Sequence, residues 1–542
     1  MNSPGNRVII VGSGLGGLLT GFLLSKEGFG ITVLEKHRKF GGCLQTFKRG
    51  KFTFDTGMHY LGALSPGQPL HNYWKYFGLS GKLNLLQMDA NGFDRISFGS
   101  PDQAGGIVEF PIAQGFENFR ERLLPFFPDA GNALKQYTAT LQEIANAHPL
   151  YNLELPPSGY SDPFQRLLAT DWLSTLDNSS LWNSLFPLCN SVTQKVSQRT
   201  TEEAQRGTEE IRLQDVLAGN GFLYDWNPKT TSVSQFGLIN HAFISSAWRV
   251  AGGSQQIADI LVEGIRSHGG EVLLKKKVIT IRKSGETFLI DTADGDHFES
   301  SRLISGIHPA VTLGLFTDIP VQKAYHRRIL SLENTTSVFT IYLGLKPGVF
   351  PYLNYNVYYP APDSPSLDSP SPTLPNRGGS WRSSKGEGYL FMTPPEKGQG
   401  AFAKTAVIMA PMSFETVKKW EDSASGARDK SYFVFKARRS KELLELVYRT
   451  FPELKDAIAT IDISTPLTWR DYTGTPEGSM YGVVKDANAP ERTTIFPKTK
   501  IPGLFFTGQN INLHGALGVT VGAVMTCGEM LGLPYVMGKI RD

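Results

Sequence analysis

Cysteine, charge of one sign and long apolar runs are all scarce in this sequence, and each scarcity removes a class of protein. Three cysteines, Cys43, Cys189 and Cys527, lie far apart among 542 residues. That spacing excludes a disulfide scaffold and a cysteine-rich metal site, and no other metal-ligand spacing replaces them. The formal net charge is only +4, and basic runs stop at short ones such as Lys275–Lys277. A phosphate-backbone binder gains affinity by releasing counterions from many phosphates, so nucleic acid is not an expected partner. No stretch reaches the ~18 continuous apolar residues of a membrane span. No apolar leader follows the N-terminus, so the expected location is cytoplasmic, with peripheral contact to a membrane surface left open.

What is present points to a large soluble fold. A chain of this length exceeds one hydrophobic core, so two domains are expected. Phe at 33 and Tyr at 19 are generous, which suits an aromatic-lined pocket or a large core.

The strongest local signal is RVIIVGSGLGGLLTGFLLSKEG, from Arg7. Val8–Val11 is a short apolar run bounded by glycine and reads as a buried parallel strand. Leu15 to Lys26 reads as a helix packed on the sheet, and Ile31–Leu34 as a second strand closing with Glu35. Gly12, Gly14 and Gly17 stand between strand and helix in the G-x-G-x-x-G arrangement. Gly12 permits the tight turn, Gly14 lets backbone approach a pyrophosphate, and Gly17 lets helix and strand pack closely. The helix N-terminus then offers unsatisfied N–H groups to the phosphates. Glu35, 18 residues after Gly17, is placed to accept ribose hydroxyls. An acid there disfavours a 2′-phosphate, and Gly41 and Gly42 imply a second close approach beyond the adenosine half. FAD fits this pattern better than NADP.

Four blocks carry a family likeness: the opening motif, GGCLQTF, FTFDTGMHYLG (Phe52–Gly62) and the C-terminal GLFFTGQN with its following glycines. Together they resemble the phytoene desaturase, carotenoid isomerase and retinol saturase group, within the wider amine-oxidase-like FAD superfamily. TGQN and DTGMHY look closer to the retinol saturase and carotenoid isomerase side. The resemblance implies that Gly12, Ser13, Gly14 and Gly17 hold the FAD pyrophosphate and Glu35 the ribose. Gly41 and Gly42 would run along the flavin side, and Val278 would present its backbone to the adenine. Gly508 would face the ribityl chain, and Gly515 through Val519 the isoalloxazine. Many relatives have an acid after that glycine; this chain has Gln509, which can donate and accept but carries no charge.

The implied fold class is α/β: a discontinuous Rossmann-like FAD-binding domain and a substrate domain on a mixed or antiparallel sheet plus helices. Residues 1–65, 250–310 and 495–542 are expected to form the first, and 66–249 and 311–494 the second. Val272–Ile281, Thr287–Ile290 and Ser301–Ser305 read as three strands after a helix over Gln256–Ser267. Ile501–Phe506 reads as the last strand of the FAD sheet, and Gly515 onward as a helix pointing its N-terminus at the flavin. Thr335–Phe350 and Lys404–Pro411 are strand candidates for the substrate sheet. LATDWLSTLDNSSLWNSLFPLCN reads as helical, and APDSPSLDSPSPTLPNRGGS as a surface excursion. Leu123–Phe127 is a candidate membrane contact, though such runs also build cores. No second G-x-G-x-x-G follows a strand, so NAD(P)H, as a transient electron donor, would visit the flavin through the substrate entrance.

Candidate catalytic residues are His59 and Tyr60 after the DTG turn, Tyr481 in SMYG, and His514 before Gly515. A free imidazole titrates near neutrality and could move a proton. Each has a plainer reading: a histidine satisfied by a carbonyl, a tyrosine packed as an aromatic. Arg249 is a candidate near the cofactor, and Arg470, Asp471 and Tyr472 a structural cluster. The expected function is oxidoreduction at C=C or C–C bonds of an apolar polyene or isoprenoid, with the flavin carrying the hydride. Desaturation, saturation and isomerisation all fit. The alternatives are an amine-oxidase-like flavoenzyme and an FAD-binding protein without redox turnover.

Overall fold

The structure is a computed structural model and describes residues 6–100, 106–155, 193–194, 211–227, 230–360 and 388–542. The helical reading over 168–190 and the Pro/Ser-rich stretch 361–380 lie outside the described residues.

Strand β1 (Arg7–Val11) buries its four apolar residues on both faces, which is why it carries no alternation. It turns at Gly12 into helix α1 (Leu15–Lys26), which is buried from Gly16 to Ser25. A helix enclosed on every side needs small residues where neighbours press closest. A Cβ on Gly21 would lie 3.2 Å from Ile265 Cδ1 and 3.3 Å from Ile10 Cδ1. Strand β2 (Gly30–Leu34) pairs parallel with β1.

The five-stranded sheet runs Glu271–Leu273, β2, β1, Arg302–Ser305, Leu504–Phe506, and every neighbouring pair is parallel. Its strands come from three distant stretches of chain. Val11 is in register with Leu34 and Ser305, and Ser305 with Phe506, so the carboxyl ends form one edge. Ligands of parallel sheets bind along that edge.

Several elements differ from the sequence reading. The stretch 272–281 is not one strand: Lys275 has φ 61°, and the chain turns there into a second strand, Val278–Ser284. That strand joins Thr287–Thr292 and the polar strand His297–Ser300 in a separate antiparallel sheet. The last strand begins only at Leu504, because Pro502 lacks an N–H and Gly503 turns with φ 84°. Residues 69–79, read as part of the substrate domain, pack instead with α1 and the C-terminal helices. Leu70, Tyr73, Trp74 and Phe77 share a core with Leu18, Val521 and Val524.

The larger sheet has seven strands, in the order Ile458–Ser464, Ser337–Leu345, Thr405–Met412, Tyr389–Met392, Asn356–Tyr359, Asp94–Ser100, Gly106–Ile112. All its pairs are antiparallel except Asn356–Tyr359 with Asp94–Ser100. Ser337–Leu345 and Thr405–Met412 are buried at every residue, hence their largely apolar, uncharged sequences. One face, with Phe339 and Ile341, packs on helix Lys430–Thr450 through Leu443 and Val447. The other, with Tyr358, Leu390 and Met409, belongs to a core shared with Tyr60 and Phe236.

The candidate membrane patch Leu123–Phe127 is split between core and surface, with Leu124 and Pro125 exposed and Phe126 half-buried. Leu123 and Phe127 are buried, Phe127 stacks on Phe110 at 5.5 Å, and Leu124 is 40% exposed. Among the described residues no helix is long and apolar enough to cross a membrane.

Candidate active site

A cavity of about 1720 Å³ follows the carboxyl edge of the parallel sheet and continues under the larger sheet. One part is a groove built from backbone. Gly12 turns with φ 96°, and a Cβ on Gly14 would meet nothing within 4 Å, so the loop opens onto the cavity. A Cβ on Gly42 would lie 3.1 Å from Gly14 Cα, which lays the Gly41–Leu44 turn along the loop. Gly41 N–H donates to the Ser13 carbonyl at 3.0 Å. The Glu35 carboxylate accepts from Ser13 N–H at 3.1 Å and His37 N–H at 2.9 Å, and from the Ser13 hydroxyl. Ser13 thus organises Glu35, with its N–H and O–H both committed. Gly17 does not line the cavity; its Cβ would lie 2.2 Å from the Gly12 carbonyl oxygen, so it serves packing.

Gly16 was missed by the motif reading. Its Cβ would lie 2.5 Å from Gly508 Cα, so two glycines bring the first and last loops of the domain together. Gly508, Gln509, Gly515 and Val519 line the cavity from this side. Lys277 and Val278 line its far end.

Two helices start at this cavity without a side-chain cap or an acidic residue in the first turn. They are α1, after Gly14, and Gly515–Leu531, after His514. Their orphan N–H groups give a positive end at each site. Lys485, also missed, lines the cavity and donates its amine to the Asn510 carbonyl. Burial, with Arg328 nearby, pushes its pKa down to about 7. An open glycine cradle, a held carboxylate and two uncapped helix ends fit the phosphates, ribose and ring of a flavin dinucleotide.

The four candidate catalytic residues all line this same cavity. His514 bonds through Nε2 to the Leu223 carbonyl at 2.9 Å and stacks on Tyr481 at 4.2 Å. Tyr481 donates its hydroxyl to the Phe222 carbonyl at 2.9 Å. The turn Gly221–Tyr224 therefore fastens both rings. Burial lowers the His514 pKa to about 4, so the ring is neutral, and raises that of Tyr481. His59 Nε2 is buried with no hydrogen-bond partner among the described residues. Burial, with Arg249 nearby, lowers the His59 pKa to about 4. Tyr60 donates its hydroxyl to Asp94 Oδ2 at 2.8 Å and lies 2.8 Å from the Tyr358 hydroxyl.

Arg249 is not among the cavity residues. It is buried and donates to the carbonyls of Leu353, Tyr355 and Thr393 and to Asn356 Oδ1. It clamps the turn before strand Asn356–Tyr359. Asp471 accepts from Arg470 at 3.1 Å and Arg428 at 2.5 Å, while Tyr472 lines the groove and stacks on His37. Among the described residues no His, Cys, Asp and Glu cluster could hold a metal.

Much of the remaining wall is apolar, with Ser232, Ser234 and Gln235 among the polar residues that also line it. Phe222, Leu238, Phe243, Leu390, Met409 and Trp469 form a chamber continuous with the groove. The cavity also reaches Leu150, Leu155, Met525 and Leu533, where Leu155 is 37% exposed.

Comparison with known proteins agrees with this geometry. The family model described as flavin containing amine oxidoreductase matches residues 15–526. The all-trans-retinol 13,14-reductase of Danio rerio is 28% identical over 96% of this chain and 85% of its own length. That of Homo sapiens is 24% identical over 97% and 85%. Prolycopene isomerase 1, chloroplastic, of an Oncidium hybrid cultivar is 22% identical over 95% and 82%. Among solved structures, an oxidoreductase from Methanosarcina mazei superposes with TM-score 0.59 at 16% identity, over 96% of this chain and all of its own. The cyclohexylamine oxidase of Brevibacterium oxydans gives 0.54 at 14%, over 99% and 100%. The structural likeness shows a shared fold; the family match spans both ends of the cavity. The chain belongs to the flavin containing amine oxidoreductase family and is a flavin-dependent oxidoreductase.

Proposed function

We propose that the chain binds FAD along the glycine groove and saturates a C=C bond of a long, apolar, conjugated polyene in the chamber beyond it. The observation that carries the reading is the continuity of groove and apolar chamber in one cavity. The similarity to retinol 13,14-reductases over nearly the whole chain favours a retinoid-like substrate and the reductive direction.

In this reading Gly12 and Gly14 admit the pyrophosphate, with the α1 N-terminus facing it, and Gly17 keeps the loop closed by packing. Glu35 accepts the ribose hydroxyls, and Val278 faces the adenine. Gly41 and Gly42 follow the cofactor toward its ring. Gly508 and Gln509 meet the ribityl chain, and Gly515 to Val519 the pyrimidine end. FAD supplies the hydride chemistry when bound. The chamber excludes water and orients the polyene, whose burial contributes about 25 cal/mol per Å² of apolar area. A polar amine or sugar would lose hydration there without recovering it. The polyene enters from a lipid surface by the mouth near Leu155, and NAD(P)H is the transient electron donor, reaching the ring by the same entrance.

The test is to load the protein with FAD and titrate it separately with retinoids, carotenoids, quinones and small amines. The expected result is about one flavin per chain, with an absorbance perturbed by a polyene and not by an amine. Reduction of the flavin by a primary amine, with no response to any polyene, would overturn the reading in favour of an amine oxidase.

A further inference from the structure

Saturating a C=C bond adds one hydride and one proton, so a proton donor has to stand within reach of the alkene. Resting on the polyene reading above, we infer that Tyr60 is the proton donor and that Asp94 and Tyr358 hold and recharge it. The three groups form a hydrogen-bonded triad in which Tyr60 lines the cavity and Asp94 and Tyr358 stand behind it, outside the lining residues. Tyr60 Oη lies 2.8 Å from Asp94 Oδ2 and 2.8 Å from Tyr358 Oη.

The fold assembles this triad at a particular place. Asp94 and Tyr358 come from the one parallel strand pair of the larger sheet, with Asn356 in register with Asp94. Asn356 Nδ2 donates to Asp94 Oδ1 at 2.8 Å, and Arg249 donates to Asn356 Oδ1 at 2.7 Å. Tyr358 is in register with Leu390, and Leu390 with Met409, so the three share the sheet face whose latter two line the chamber. Tyr60 reaches this face from the segment after Gly57, its ring 4.4 Å from that of Phe243, another chamber residue. Asp94 and Tyr358 are fully buried, and Tyr60 nearly so.

A buried carboxyl is costly unless a neighbour compensates it or it stays neutral. Burial pushes the Asp94 pKa up to about 7, against hydrogen bonds from Asn356 and Tyr60 and the Arg249 charge. The charged and titratable groups around it are Tyr60, Tyr358 and Arg249; Tyr481 and Tyr224 stand beyond Tyr358. When Asp94 carries a proton, its O–H donates to Tyr60 Oη and frees the Tyr60 O–H to turn into the chamber. A hydride from reduced flavin, the co-reactant, then bonds to one alkene carbon. The π pair bonds the other carbon to the Tyr60 proton as the O–H bond breaks. Tyr60 Oη takes the Asp94 proton, leaving a carboxylate that Asn356, with Arg249 behind it, stabilises. Asp94 is reprotonated from solvent between turnovers. Tyr60 is the catalytic residue in this account, and Asp94 acts through it.

The test uses the FAD-loaded full chain with Tyr60→Phe, Asp94→Asn and Tyr358→Phe, with retinol as the polyene. Flavin content and the retinol-induced flavin perturbation are expected to stay within twofold of the native protein in all three. Polyene reduction is expected to fall about 10²-fold or more in Tyr60→Phe and Asp94→Asn, the range for a lost general acid, and less in Tyr358→Phe. The native rate should decline as pH rises through about 7, and Asp94→Asn should lose that decline. Infrared difference spectra should show a carboxylic C=O band titrating over the same range and missing in Asp94→Asn. Native reduction rates, pH profile and solvent isotope effect in Tyr60→Phe and Asp94→Asn would overturn the inference alone. So would a C=O band that does not titrate, which decides the matter if Asp94→Asn fails to fold. A native protein that reduces no polyene would overturn the function on which it rests.

Discussion

The groove and the chamber share one cavity but are built from different materials. The groove is made of backbone: Gly12, Gly14, Gly16 and Gly42 define it by the side chains they lack, within a short stretch of sequence closed by Gly508. The chamber is made of side chains from remote segments. Tyr60 and Tyr358 touch across 298 residues, and Tyr481 reaches Phe222 across 259. A backbone site tolerates no change of shape at its contact points, whereas a side-chain site can change volume and hence ligand preference. The groove therefore sets the cofactor, and the chamber sets what meets it.

Within the groove, two neighbouring glycines should fail differently. Gly17→Ala places a Cβ 2.2 Å from the Gly12 carbonyl and should cost about 3 kcal/mol of stability together with the flavin. Gly14→Ala meets no protein atom, so thermal unfolding of the flavin-free protein should barely move while flavin affinity is lost. Calorimetry with and without FAD separates the two. Equal losses of stability would dissolve the distinction between packing and ligand-facing glycines. Glu35→Ala should weaken flavin binding by about 1–3 kcal/mol, the scale of a hydrogen bond to a charged group, as read by equilibrium dialysis.

The chamber should respond in the opposite sense. Phe243→Ala or Met409→Ala should leave flavin content unchanged and alter which polyene length perturbs the flavin most. Loss of flavin in either variant would show that the two halves are not separable.

Much of the groove was legible because its signals are local. Gly12 and Gly14 answer to a turn and an approach that no other residue permits, and Glu35 closes a strand that starts right after the helix. The strand Ser337–Leu345 was legible within Thr335–Phe350 because burial on both faces favours apolar and β-branched residues at nearly every position. Long-range pairing was not legible. Trp74 donates to Thr520 Oγ1 at 3.2 Å, which ties residues 69–79 to the C-terminal helix, yet nothing in PLHNYWKY announces that partner. Asp94 looks like an ordinary strand-edge acid until Tyr60, Asn356 and Tyr358 close around it. Lys275 broke an expected strand through one positive φ in a run of lysines, a residue type with no preference for that conformation.

Stability should also depend on pH, through groups in both halves of the site. His514 has a folded pKa near 4, below its ordinary 6.5. The unfolded chain binds more protons between those values, so this group makes stability fall as pH drops from 6.5 to 4. Asp94 works in reverse. Its folded pKa of about 7 exceeds the ordinary 3.8, the native state binds more protons between them, and stability falls as pH rises across that window. Urea unfolding at several pH values should show Asp94→Asn flattening the rise-side loss, and an unchanged slope would mean that Asp94 stays ionised when folded.

Anaerobic single turnover tests the central claim most directly. The FAD-loaded protein is reduced chemically, freed of excess reductant and mixed with all-trans-retinol, and flavin and polyene absorbance are followed together. The account predicts flavin reoxidation in step with a blue-shifted polyene, one product per flavin. Flavin that stays reduced beside an unchanged polyene spectrum would contradict it.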